Sequence, residues 1–436
     1  MKPTVNLRGS PDTSQCPPLS LLALLGLGAA LVAGAALRFG YSQDIEYKAD
    51  QEWTFRKTQT TGRSEPWSWV GMPSSFGIPN PGFSDWVFIV PARLFRISSP
   101  PSLARFVAAT NFLALLLLMA FAWRWVPADE REPWLWAAAL LAVNPQAVIM
   151  HRCIWLQALL PIFSLGLLVA WWHRSRPAAA LAWGLVGALI GQLHMTGFLY
   201  AFAFVAWTAL FDRRSARWGL WLVGSILGAV PLLPWLVASW PFTLSRPVSD
   251  GGWRYVATLP YWQLWVSEPL AVGMPYHVQP HFTDYLAEPL WSGQPTYLVY
   301  GAYLGIIAVA AALAATAGLR LLRTWPGWMA AFIGRSSPSA FAQNAALWGY
   351  GLLLTLPGVT LHPHYLTVTF PLQYVWLTRL GLVHAEQPAM RRWARGLLAV
   401  LWLLQLVLSV VFLRYIHIHQ GIPDGPFGTV YGAQPR

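Results

Sequence analysis

The sequence predicts an all-α, multi-pass membrane protein of about eleven spans, and three observations carry that prediction. Hydrophobic residues fill 56% of the 436 positions and charged residues only 11%, whereas a soluble domain carries about 25% charge. Apolar stretches of about 20 residues, enough to cross a hydrocarbon core about 30 Å thick, recur along the chain. Basic residues gather in the short stretches between them, as cytoplasmic loops do. A disordered chain is thereby excluded, and a water-soluble enzyme is disfavoured.

Taken in order, the spans fall near 18–39, 103–123, 134–150, 154–172, 177–193, 196–211, 218–239, 297–319, 345–361, 365–383 and 394–415. The first follows Lys2 and Arg8 and resembles a signal peptide, but its apolar run exceeds a usual signal core, so an uncleaved anchor is expected. Several later spans pair as tight hairpins, with turns at 192–195 and 362–364.

Orientation follows from five loops: Arg124 and Arg131; Arg174 and Arg176; Arg213, Arg214 and Arg217; Arg320, Arg323 and Arg335; Arg391, Arg392 and Arg395. Eleven alternating spans place all five on one side, which is then the cytoplasm. Residues 1–17 form a cytoplasmic N-terminus, 18–415 the membrane domain, and 416–436 an extracytoplasmic tail. The net charge of +12 has the same origin. Without a basic block or a basic-aromatic face it points to membrane lipids and not to nucleic acid. Cys16 and Cys153 fall on opposite faces, so no disulfide is expected.

Two outer loops stand out. Residues 40–102 run from polar to Pro/Gly/Ser-rich and include the aromatic stretch 83–95, too short to span and expected as an interfacial helix. Residues 240–296 are rich in Trp, Tyr, Pro and His, and a third, cytoplasmic stretch, 323–344, holds an expected interfacial helix near 325–333.

None of the seventeen carboxylates lies in a span core, which weighs against a proton- or sodium-coupled transporter. Four of them, Asp44, Glu46, Asp50 and Glu52, follow the first span within nine residues. If this stretch is helical, Glu46 and Asp50 share a face at i, i+4. A carboxylate held at a membrane surface suits a general base or a metal ligand; the alternative is a solvated acidic loop. Eight of the ten histidines are predicted outside, among them His362 and His364, a pattern that suits a metal or a phosphate as well as lipid heads. Arg152, at the outer end of the fourth span, can snorkel or grip a phosphate bidentately. The 27 Trp suit an interfacial belt, with a minority free to stack on a sugar.

Taken together, four segments resemble the GT-C class of polytopic glycosyltransferases, the group of protein O-mannosyltransferases and lipid A aminoarabinose transferases and their bacterial relatives. They are 47–52, where the family has an acidic pair after the first span; the Gly/Ser/Pro stretch 71–81; Asn144-Pro145 followed by 152–161; and His364-Tyr365-Leu366 with Phe370-Pro371-Leu372. Gln51 stands where the pair has Glu, and Gln157 where several members have a second acid, a departure from a two-carboxylate metal site. The resemblance implies transfer of a sugar from a polyprenyl-phosphate donor to a glycan, lipid or protein acceptor outside the plasma (inner) membrane. It also implies Asp50 as base with Glu52 as substitute, Arg152, Gln157, His362, His364 and Tyr365 on the substrate side, and a divalent metal as an open question. A lipid-linked glycan flippase and an O-antigen ligase or polymerase are the competing readings.

Overall fold

The computed structural model describes residues 21–74, 78–240, 256–324, 328–334, 337–358, 360–382 and 388–434. The expected cytoplasmic N-terminus with Cys16, and Asp250, Arg335 and His384, lie outside the described residues. The chain is a helical bundle, and a helix or a bent helix pair occupies each predicted span. Helix α1 is Leu21–Phe39; α2 and α3, Ala49–Thr60 and Phe83–Leu94, pack together in the first predicted outer loop. Then come α4 (Pro100–Trp125), α5 (Ala128–Val143), α6 (Pro145–His151), α7 (Leu160–Trp172), α8 (Pro177–Leu193), α9 (Thr196–Phe211), α10 (Trp218–Ala229) and α11 (Leu232–Ser239). The loop element α12 (Pro260–Leu270) precedes α13 (Pro275–Val278) and α14 (Phe282–Ala287), and α15 (Leu298–Thr324), α16 (Trp328–Ile333) and α17 (Pro338–Asn344) follow. A π-helical turn at 345–350 leads into α18 (Gly351–Thr355), a 3-10 helix at 363–369 into α19 (Leu372–Leu382), and α20 (Pro388–Ile418) closes the bundle. Among the described residues, strands are confined to two antiparallel hairpins of two-residue strands, β1 (Leu290–Trp291) with β2 (Gln294–Pro295) and β3 (Gly421–Ile422) with β4 (Gly428–Thr429).

By length and composition, α4, α15 up to Gly318, and α20 can each cross a membrane alone; counting the bent pairs α5–α6 and α10–α11 as one span each gives five. The remaining predicted spans correspond to shorter apolar helices, so the number eleven rests on the sequence pattern. The packing has the two-sided character of a membrane bundle. In α4, Leu103, Val107, Leu115, Leu118 and Phe121 are fully buried, while Leu113, Leu116 and Leu117 on the other side are 40–49% exposed. An apolar helix with an apolar outer face is what lipid, not water, accepts.

The bend of 66° between α5 and α6 has a local cause. Pro145 lacks an N–H, and Asn144 restarts the helix by accepting the Ala147 N–H at 3.1 Å. The carbonyls that the break releases are taken up from other helices: Arg38 donates to Ala142 O at 2.7 Å and Leu141 O at 3.0 Å, and Ser409 Oγ donates to Val143 O at 2.5 Å. Gly34 permits the approach, since a Cβ there would stand 3.0 Å from Ala142 Cβ.

The basic loops meet at one end of the bundle. Trp125 packs on His173, the Arg217 N–H reaches Arg174 O, and Glu132 accepts from both Arg391 and Arg395. Trp207 donates to Ile333 O at the same end. Reporter fusions after residues 212 and 270 are therefore expected on opposite membrane faces; activity of one reporter at both positions would refute the alternation. Some of the Trp is core and not belt: Trp134, Trp171 and Trp183 are fully buried, the first two donating to Ser339 Oγ and Thr208 Oγ1.

Candidate functional site

The acidic segment after α1 is not one helix. Lys48 precedes α2, and its N–H is accepted by Gln51 Oε1 at 3.0 Å, so Glu46 lies outside the helix and does not share a face with Asp50. Glu46 instead pairs with Lys48 at 3.2 Å and bridges to Val430 of the tail. Gln51, the residue that departs from the acidic pair, is buried and donates to Cys153 Sγ at 3.3 Å, which makes it a structural tie. Asp50 is exposed in the first turn of α2, where the helix dipole favours a carboxylate, and its Oδ2 accepts from Trp155 Nε1 at 3.1 Å. Glu52 is exposed, and among the described residues its side chain makes no hydrogen bond or ion pair.

The tail holds this segment in place. Asp44 Oδ2 lies 2.7 Å from His417 Nδ1, the Tyr431 and Gly432 N–H groups donate to Ile45 O and Gln43 O, and Gln434 Nε2 donates to Tyr47 O. The Tyr47 and Tyr431 rings meet edge to face at 5.2 Å. Truncation after residue 420 is expected to leave the bundle intact while speeding hydrogen exchange across 43–50. Unchanged exchange there would show that the tail is not a brace.

Arg152 is buried, and its terminal nitrogens donate to Leu37 O, Gly40 O, Tyr41 O and, at 3.4 Å, Asp44 O. It caps the end of α1, where its two terminal nitrogens face carbonyls left without helical partners. Arg38 has a parallel role at the α5 bend and also bonds His151 Nδ1 at 2.8 Å. No ion pair of either guanidinium is recorded among the described residues, so two buried positive charges stand behind this end of the bundle.

His364 is the hub. Its ring lies 4.8 Å from Trp155, 4.6 Å from Tyr365 and 5.5 Å from the nearly parallel ring of His362, with His194 at 6.5 Å. Trp155 thus joins Asp50 to the 362–365 turn across more than 300 residues of sequence. Tyr365 is buried, its backbone oxygen accepting from the Tyr350 hydroxyl at 2.9 Å, and Gln157 is buried with its Oε1 unpartnered. Beside His364 lies a small cleft of about 40 Å³, lined by His151, His277, His364, Glu268, Gln146 and Tyr374 together with apolar side chains. Burial, with the neighbouring imidazoles alongside, holds His364 well below the usual histidine range, and burial takes His277 down to about 4. Both rings are therefore neutral at pH 7 and meet a ligand as N–H donors or acceptors.

Among the described residues no three His, Cys, Asp or Glu side chains are arranged to hold a metal ion. The sequence pattern did not single out Glu268, Gln146 or Trp155: the first is one loop carboxylate among several, and the others take their place only through the α5–α6 bend.

The fold is that of a helical, multi-pass membrane protein. The chain is similar in structure to the oligosaccharyltransferase of Archaeoglobus fulgidus in the apo form, with a TM-score of 0.52 and 14% identity over 89% of this chain and 55% of that one. The chain thus spans about half the length of that enzyme. ArnT from Cupriavidus metallidurans bound to undecaprenyl phosphate gives 0.47 and 14% over 90% of this chain and 76% of that one. No protein-family model and no curated protein matches the sequence.

Proposed function

We propose that the protein is a membrane glycosyltransferase that moves a sugar from a polyprenyl-phosphate donor to an acceptor on the extracytoplasmic face of the plasma (inner) membrane. The observation that carries this reading is the Asp50–Trp155–His364 line, which joins an exposed carboxylate to an amphiphilic cleft. The fold likeness to an oligosaccharyltransferase supports it. A lipid-phosphate donor stays in the bilayer, so its polar head has to be met where helices end, and this cleft combines imidazoles with apolar side chains.

Asp50 takes the proton of the acceptor hydroxyl, whose oxygen attacks the anomeric carbon. The bond from that carbon to the phosphate oxygen breaks, and the electron pair leaves with the phosphate. Negative charge on the departing phosphate is stabilised by the N–H groups of His364 and His362 and by the fields of the buried Arg38 and Arg152, which act through space. Gln157 and Tyr365 hold the wall behind them, and Glu52 stands two residues from the base as the substitute. Proteoliposomes carrying a lipid-linked sugar test the reading: cleavage of the sugar-phosphate bond supports it, whereas movement of intact lipid between leaflets would replace it with a flippase.

A further inference from the structure

Glu268 enters the cleft from α12, a segment that the mechanism above does not use. Its Oε1 accepts from Gln146 Nε2 at 2.9 Å, and Asn144 Nδ2, at the bend, donates to its backbone oxygen at 3.0 Å. The fit is close: a Cβ on Gly273 would collide with the Gln146 amide. No carbonyl, imidazole or cation is recorded as a hydrogen-bond partner of Glu268 Oε2 among the described residues, and Glu268 shares the cleft with His151, His277, His364 and Tyr374. A fixed carboxyl with one oxygen bonded and the other at a cleft wall is a built contact for a ligand's polar head.

We propose that Glu268, in its neutral form, is a binding residue that donates a hydrogen bond from Oε2 to the phosphate of the lipid in this cleft. The proposal rests on the donor class proposed above. Three features favour the neutral acid. Burial pushes its carboxyl up to about 8, with the Gln146 bond opposing. The neighbouring His277 and His364 are neutral and offer no counter-charge. Finally, the buried Arg38 guanidinium is engaged with His151 and with backbone carbonyls. With Oε1 accepting from Gln146, the proton resides on Oε2. Above pH 8 the carboxyl ionises and repels the phosphate it held, so the contact is also a pH limit on lipid binding.

The test is the affinity of the full-length protein in detergent for undecaprenyl phosphate at pH 6.5 and 9, for wild type, Glu268→Gln and Glu268→Ala. The wild-type affinity is expected to fall at least about tenfold more between the two pH values than that of Glu268→Gln, whose amide donates at both. Ionisation of the lipid itself is common to both proteins and cancels in that comparison. Glu268→Ala is expected to bind about tenfold more weakly at pH 6.5. Equal pH profiles for wild type and Glu268→Gln would overturn the proposal, even where Glu268→Ala misfolds. If wild type binds no undecaprenyl phosphate at either pH, the donor class fails instead.

Discussion

Asp50→Asn is expected to lower sugar transfer by about 10²–10⁴-fold, the usual loss for a positioned general base. Asparagine keeps the shape and can still accept from Trp155 Nε1 through its amide oxygen, so the change removes basicity and leaves geometry. Because Asp50 is exposed, the stability cost should stay within about 0.5 kcal/mol. Glu52→Gln at matched expression is the internal control, since Glu52 stands outside the Trp155–His364 line. Asp44→Asn loosens the bond to His417 and Glu46→Gln the pair with Lys48, and either should act through the loop and not through chemistry. Transfer that survives in Asp50→Asn but is abolished in Glu52→Gln would move the base two residues along the chain. If none of the four matters, the acidic segment is a solvated loop.

The second large effect is on stability. Arg38→Met should cost about 3 kcal/mol or more, because it strands the carbonyls of Leu141 and Ala142 together with His151 in a dry part of the bundle. Each buried acceptor left unbonded costs about 1–3 kcal/mol, and lipid offers no water to repair it. Arg38→Lys should recover only part of this, since an ammonium cannot reproduce the planar fork. Thermal unfolding in detergent measures both. A melting temperature for Arg38→Met equal to wild type would mean that the bend satisfies its carbonyls in another way.

How much of this was legible beforehand depends on what each feature leaves in the sequence. The helices Pro177–Leu193 and Thr196–Phe211 fall where hydropathy placed them, because a proline opens the first and a polar turn separates the two. The π-turn at 345–350 and the 3-10 helix at 363–369 were not legible: hydropathy marks apolar length and is blind to pitch. That Asp50 and His364 fall on one side follows from the predicted alternation of spans, but Trp155, which links them, was not legible. Nor was the capping role of Arg152, because its partners are carbonyls, which every residue carries. Asn144-Pro145 was the available clue: a capping residue before proline inside an apolar run signals a broken helix and freed acceptors. Glu268 left no such mark, as its hydrogen-bond partners Asn144 and Gln146 lie more than 100 positions away.

The bonds between the tail and the 43–47 segment also set an order of events during synthesis. At about 5–20 residues per second, residues 43–47 wait roughly 20 to 80 seconds for residues 431–434 to be made. Through that interval the membrane helices insert and pack while the segment carrying the acid lacks its clasp. A ribosome that stalls after α20 thus releases a bundle whose acid is unclasped, so the last hairpin works as a completion seal. Pulse-labelled chains should gain protease resistance at 43–50 only after residue 434 has left the ribosome, later than the helices themselves.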